Sequence, residues 1–197
     1  MIVGDGNVYK LSNIIRYSQL SKIKRESVAE HSFYVSWFAN RLCTWYKLPD
    51  IIRLMALEAA ILHDIPEVIT NDITYDVKQM IPEVSGLLQP YEKAIIKEHS
   101  ERVYGILFDP LSYEQQIAKA LVKHADILSV MQYCTNEEDL GNKSFIKLKQ
   151  DTETRIEKSK QKVESLIEKW RNKNAKEHGD ISSKVTDEDQ VWCGSSN

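Results

Sequence analysis

Apolar positions recur at helical spacing along most of this chain, and no segment sustains the strict alternation of a strand. Residues 9–22 predict a first short helix. A second begins at Ser27, where Ser27 and Glu30 have the spacing of a capping box. Its apolar face runs Val28, Val35, Phe38, Ala39 and Leu42. Pro49-Asp50 opens a third helix through Ile51, Leu54, Met55, Leu57, Ala60 and Ile61 to His63. Pro66 ends or kinks it, because proline has no backbone donor to offer the preceding turn. Residues 69–90 read as loop with short helical pieces, followed by a helix over about 91–107 and a break at Asp109-Pro110. Ser112 starts a long helix whose face includes Ile117, Leu121, Val122, Ala125, Leu128 and Val130. A charged helix over about 144–173 keeps only a sparse apolar stripe, Ile146, Leu148, Ile156, Val163, Ile167 and Trp170, with Lys and Glu four apart on its outer side. The stretch 173–197 is polar and aperiodic, and is expected to be a disordered tail after a single domain over 1–172. The fold class is all-α, a helical bundle of six to seven helices.

Four polar residues interrupt these apolar faces. His31 lies three residues after Val28 and four before Val35, His63-Asp64 closes the third helix, and Asp126 sits four residues from both Val122 and Val130. An unpaired ionisable group is costly in such places, and imidazole nitrogen with carboxylate oxygen is a ligand set for a divalent cation. Each alone is weak. With 5 His and 12 Asp a His-Asp pair arises about 0.3 times by chance, a lone buried histidine is more often a hydrogen-bonded core residue, and Asp126 could pair with a lysine. Together they come from three helices and all point inward. Two imidazoles and two carboxylates give one cation four ligands and leave positions for water and a substrate oxygen. Glu67, one turn beyond Asp64, stands where a general base for an attacking water is needed, and Asp72 can orient the same water. The remaining histidines stay outside. His99 is in an exposed Lys-Glu-His-Ser stretch, His124 faces away from Asp126, and His178 is in the tail.

Composition narrows the function classes. The chain has 197 residues, enough for one substantial core, and its net charge of −3 supplies no basic field for nucleic acid or an anionic membrane. No apolar run approaches the roughly 20 residues of a membrane span, and MIVGDGNVYK lacks the layout of a secretory signal. Cys43, Cys134 and Cys193 are odd in number and widely spaced, so they form neither a disulfide framework nor a zinc ribbon; a reducing, cytoplasmic location is expected.

The order His…His-Asp…Asp resembles the HD-domain metal-dependent phosphohydrolases. The segments IIRYSQL, ESVAEHS, HDIPEVITNDI, DVK and VKHAD are similar, over about residues 10–150, to those of the YfbR-like 5′-deoxynucleotidases and of related phage deoxynucleoside triphosphate phosphohydrolases of the dATPase (DatZ) type. The resemblance implies an HD-domain bundle, metal ligands His31, His63, Asp64 and Asp126, and a divalent ion such as Co, Mn, Zn or Mg. It implies Glu67 as activator of the water, Asp72 as its aid in proton transfer, and Arg16 on the phosphate, with Lys78 and Lys123 on further phosphates. Tyr17 stands where the family commonly has Trp, a ring that packs on the sugar and leaves no room for a 2′-hydroxyl, while Gln19 and Asp76 lie near the base. A deoxynucleotide substrate and a homo-oligomer, dimer or hexamer, are implied as well. Release of phosphate from a deoxynucleoside monophosphate is the first expectation, release of triphosphate from a dNTP the alternative, and a non-catalytic metal- or nucleotide-binding regulatory module a further one. One departure stands out: where family members often read Gly-Asp-x-Pro-Thr-Pro, this chain has Asn71-Asp72-Ile73-Thr74-Tyr75-Asp76, and the loss of both prolines leaves that loop less rigid.

Overall fold

The computed structural model describes residues 5–184 except 75, 76, 78 and 79. After a 3-10 segment at Asp5–Ser12 come α1 (Val28–Trp45), α2 (Asp50–Leu62), α3 (Glu67–Thr70), α4 (Pro82–His99), α5 (Glu101–Phe108), α6 (Tyr113–Asp139), a 3-10 turn at Lys143–Phe145 and α7 (Ile146–Lys184). Among the described residues there is no strand, only an isolated antiparallel bridge between Ile15 and Ser27. The fold is all-α, as the patterning predicts.

The long helix α6 is the axis of the bundle, with α1, α2, α5 and α7 packed around it. Its burial on several sides explains why its pattern is apolar beyond one stripe: Ile117, Ala118, Leu121, Ala125 and Ile127 are all buried. Small side chains set the spacing. Ala56, Ala59 and Ala60 on α2 and Ala118, Ala120 and Ala125 on α6 belong to one core, so the two backbones approach closely. The cap expected at Ser27 forms, and a second one is found at Ser112. Ser27 Oγ accepts from the Glu30 amide at 3.2 Å while Glu30 accepts in return from the Ser27 amide at 2.7 Å, and Ser112 with Gln115 repeats the device at the start of α6. Each such cap contributes about 1 kcal/mol and fixes where the helix starts.

Three expectations are corrected. The helix expected over 9–22 is instead a short 3-10 segment followed by an irregular loop, because residues 14–28 take their hydrogen bonds from distant partners. The Arg16 amide donates to Glu26 O at 2.9 Å and the Val28 amide to Ile14 O at 2.9 Å, and Tyr17 takes a left-handed φ of 56°. The carboxylate of Glu137, fully buried, accepts from the Ile23 and Lys24 amides at 2.8 and 2.7 Å and from Asn142 Nδ2 at 2.5 Å. The loop expected over 69–90 gives way at Pro82, which opens α4 where a missing donor costs nothing; Pro90 rides inside that helix. The single helix expected over 91–107 breaks at Ser100, whose extended backbone and side chain cap α5 by accepting from the Val103 amide at 3.1 Å. In addition, α7 runs past 172–173 to Lys184, so the stretch expected as a tail begins as helix.

Glu137→Ala removes the acceptor of three part-buried hydrogen bonds and is expected to lower unfolding stability by about 1–3 kcal/mol in urea titration, at about 0.5–1 kcal/mol for each bond lost. A loss below about 0.5 kcal/mol would show that the 14–28 loop is held in some other way.

Candidate metal centre

Three helices deliver the four residues singled out from the sequence. His31 lies on the first turn of α1, fully buried; His63 caps the C-terminus of α2 with Asp64 in the turn after it; Asp126 is midway along α6. Ligand atoms of His31, His63 and Asp64 all lie within 4.8 Å of one another. His31 Nε2 is 3.5 Å from Asp64 Oδ2 and 3.4 Å from Asp126 Oδ1, and His63 Nε2 is 3.2 Å from Asp64 Oδ2. Yet neither Nε2 makes a well-formed hydrogen bond, although both are buried. Two imidazole nitrogens and two carboxylates converging without bonding one another fit a divalent cation, which needs such donors and no protons between them.

The outer contacts orient the rings. His63 Nδ1 lies 2.7 Å from Ala60 O, so it donates there and leaves the Nε2 lone pair facing the cluster. His31 Nδ1 has two neighbours, Arg16 Nη1 at 2.6 Å and Ser129 Oγ at 3.1 Å. With Nδ1 accepting from Arg16, the Nε2 proton faces the carboxylates; with Nδ1 donating to Ser129, Nε2 is free to ligate. Arg16 is itself buried, is paired with Glu26 at 2.9 Å and lies 4.8 Å from the centre of the Tyr17 ring.

Burial and then the Arg16 guanidinium hold the His31 imidazole down at about 4, so it is neutral near pH 7. Burial pulls His63 in the same direction, but the carboxylates of Asp64 and Asp126 outweigh it and raise its pKa above 6.5. Burial opposes ionisation of Asp64, and the His63 and His31 rings overcome it and hold the carboxyl well below its usual range. Asp126 also lies well below that range, against its burial, chiefly because of Lys123 at 3.1 Å and His31.

His63, Asp64 and Asp126 line a cavity of about 630 Å³, within the range of small-molecule sites, and His31 lies buried behind them. Arg16, Tyr17, Gln19, Glu67, Asp72 and Lys123 share it. Asp72 also braces the loop beside it: its Oδ2 accepts from the Tyr17 amide at 3.0 Å, tying down the left-handed residue that follows Arg16. Tyr17 stacks on Tyr133 at 4.8 Å between ring centres, with the edge of Phe145 5.4 Å away. Asp76 and Lys78 lie outside the described residues. Sequence reasoning missed Ser129 and Glu26, which hold His31 and Arg16, and also Lys119, Arg155 and Lys162, which line the cavity. Of these, Lys119 alone was legible: Lys119, Lys123 and Asp126 are spaced four and three apart, on one side of a helix.

A family profile described as 5′-deoxynucleotidase YfbR-like matches residues 6–173. A 5′-deoxynucleotidase of Yersinia pestis (strain Pestoides F) is 29% identical over 160 residues, covering 76% of this chain and 79% of that protein; one from Yersinia pseudotuberculosis serotype O:1b (strain IP 31758) matches equally. Among solved structures, the cyanophage S-2L HD phosphohydrolase DatZ, bound to dA and one catalytic Zn²⁺, aligns with a TM-score of 0.60 at 17% identity, over 90% of this chain and 99% of that one. An HD-domain phosphohydrolase from Listeria innocua aligns at 0.56 and 18% identity, over 85% and 83%. These structures share the fold.

A proton and a cation compete for His63 Nε2, whose pKa is raised above 6.5. Metal affinity is therefore expected to fall about tenfold or more from pH 7.5 to pH 5.5, with proton release on binding near neutral pH, measured by calorimetry in buffers of different ionisation heat. A pH-independent affinity would remove the histidines from the ligand set.

Proposed function

The chain belongs to the YfbR-like 5′-deoxynucleotidase family, and on that premise we propose that it hydrolyses the 5′-phosphate ester of deoxynucleoside monophosphates to deoxynucleoside and phosphate. The observation that carries this reading is the pair of unbonded, buried Nε2 atoms of His31 and His63 facing Asp64 and Asp126, with His63 and both carboxylates at the wall of a cavity that Glu67 and Arg16 also line. His31, His63, Asp64 and Asp126 would hold a divalent ion, whether Co, Mn, Zn or Mg, which would supply Lewis acidity toward phosphate and water.

The protein's own groups do the rest. Arg16, buried and preset by Glu26, offers a planar donor to the phosphate oxygens, and Lys123 adds charge from the rim. Glu67, at the first turn of α3, takes the proton of the attacking water. The water oxygen joins phosphorus, the P–O5′ bond breaks, and O5′ leaves with a proton as the nucleoside hydroxyl. Asp72 steadies the Arg16–Tyr17 loop with one oxygen and has the other for the water. The Tyr17 ring, fixed by Tyr133 and Phe145, is a wall for the sugar that disfavours a 2′-hydroxyl. Glu67→Ala is expected to lower kcat on a dNMP by about 10²–10⁴-fold while metal binding by calorimetry is retained. Unchanged turnover would remove Glu67 from the mechanism, and no phosphate release by the intact protein with any of the four metals would leave only a binding module.

The chain also has an apolar outer face that suits self-association. Phe33, Trp37 and Trp45 on α1 are 64%, 54% and 81% exposed, and Ile51 and Leu54 on α2 are about half exposed. Large rings left this open mark an interface, and a homo-oligomer, dimer or hexamer, is the reading. Trp37→Glu is expected to shift the mass by light scattering to that of a monomer; a monomeric wild type would remove the proposal. Two free buried cysteines, Cys43 and Cys134, suit a reducing cytoplasm, and no helix among the described residues is long and apolar enough to cross a membrane.

A further inference from the structure

The two histidines of the metal centre are prepared differently. His63 Nδ1 donates to Ala60 O at 2.7 Å, a carbonyl that can only accept, so Nε2 is the nitrogen left to ligate. His31 Nδ1 is held by side chains instead, 2.6 Å from Arg16 Nη1 and 3.1 Å from Ser129 Oγ. A guanidinium has donors and no acceptor, so at this distance it requires Nδ1 to accept. The His31 ring is neutral near pH 7 and carries a single proton. With Arg16 on Nδ1 that proton sits on Nε2, the atom that lies 3.5 and 3.4 Å from Asp64 and Asp126. The arrangement is therefore closed to a cation at His31.

Ligation through Nε2 requires the proton on Nδ1 instead, and the two neighbours of Nδ1 respond to it in opposite ways. A hydroxyl accepts as well as donates, so Ser129 Oγ takes the new N–H without leaving its place. Ser129 is buried on α6, three residues after Asp126 and on the same side of the helix, so one element carries a ligand and the group that orients another. Arg16 Nη1 cannot stay, because two N–H groups facing each other at 2.6 Å repel. Its other bonds keep it near. Nη1 also donates to Glu26 Oε2 at 2.9 Å, and the Arg16 amide donates to Glu26 O at 2.9 Å. What is released is one Nη1 proton rather than the whole side chain, and it belongs to a residue that lines the cavity.

We infer that Ser129 and Arg16 compete for His31 Nδ1: Ser129 is a positioning residue that accepts the Nδ1 proton and so presents the Nε2 lone pair to a cation, and the Arg16 donor displaced by it becomes available to an anion in the cavity. The inference rests on the metal centre in the reading above and deepens it with a coupling between cation and anion. Such a coupling is reciprocal. An anion that draws the Arg16 proton away leaves Nδ1 to Ser129 and favours the ligating tautomer before any cation arrives. The proton changes nitrogen in this exchange, and the charge of the ring does not change.

The test reads the His31 tautomer by nitrogen-15 NMR of the ring and zinc affinity by calorimetry. Metal-free wild type is expected to hold His31 in the Nε2–H form. Inorganic phosphate, with no metal present, is expected to raise the Nδ1–H fraction at least threefold. Ser129→Ala is expected to bind Zn²⁺ at least tenfold more weakly and to lose the response of the ring to phosphate. Ser129→Thr, which keeps the hydroxyl, is expected to stay within threefold of wild type, and melting temperatures of the metal-free proteins report on the fold separately. The phosphate titration of the wild type needs no variant, so it decides even where a variant fails to fold. A metal-free wild type already in the Nδ1–H form, a ring that does not respond to phosphate, or a Ser129→Ala protein with wild-type zinc affinity overturns the inference and leaves the proposed function standing. A Ser129→Thr protein as weak as Ser129→Ala overturns it too, since the hydroxyl is then not the group at work. The expected tautomers and zinc affinities in a protein that releases no phosphate from any dNMP support the inference and overturn the proposed function instead. A wild type that takes up none of the four metals overturns both.

Discussion

The convergence of His31, His63, Asp64 and Asp126 is the constraint on which the rest of this structure depends. Four ionisable groups in a helical core are unfavourable one by one, and they become tolerable only as a set. The carboxylates of Asp64 and Asp126 stay ionised against their burial because imidazoles and Lys123 surround them, and those same carboxylates lift His63 above its ordinary pKa. His31 stays neutral, pressed by burial and by Arg16. The outcome is two ionised carboxylates and a neutral His31, with His63 holding more firmly the proton that a divalent cation has to displace.

Holding that cluster together falls to the packing of α1, α2 and α6. The alanines on α2 and α6 let the helices approach closely enough for the end of α2 to meet the middle of α6. The end of α2 matters for a second reason. His63 and Asp64 are neighbours and would diverge by about 100° on a continuing helix. The turn that follows Leu62 instead brings His63 Nε2 to 3.2 Å from Asp64 Oδ2, and it leads into the short helix α3 that starts with Glu67.

The side of the cavity that carries Arg16 and Tyr17 is built by different means. Arg16 and Tyr17 reach it on a loop with almost no regular structure of its own, held by carboxylates from elsewhere in the chain: Glu26 on the Arg16 side chain, Asp72 on the Tyr17 amide, Glu137 on the Ile23 and Lys24 amides. Such an arrangement is firm but indirect. The left-handed backbone at Tyr17 costs about 1–2 kcal/mol and is sustained by the Asp72 bond and by the Tyr133 and Phe145 rings. A donor placed this way is held in one orientation by the protein itself, so little further ordering entropy is lost when it meets a partner.

The sequence by itself determined the helical class, the Ser27 cap, the long α6 starting at Ser112, and the inward direction of His31, His63, Asp64 and Asp126. All of these follow from spacing along one helix, and spacing is local. It misread residues 9–22 as helix because the bonds that shape that loop go to Glu137 and Asp72, distant in the chain and invisible to any local window. It missed the α4–α5 break because Pro90 carries a stronger stop signal than Ser100, while packing of Ile95 and Ile96 keeps the helix going through the proline. It also missed the cation-lined half of the cavity. Lys162 belongs to a helix whose Lys/Glu spacing reads as solvated, and only the antiparallel register fixed by His124 on Ser159 brings it to the wall that Lys119 also lines. Periodicity tells which way a side chain points from its own helix. Which other side chain it meets is decided by how the helices cross, and that is a property of the folded whole.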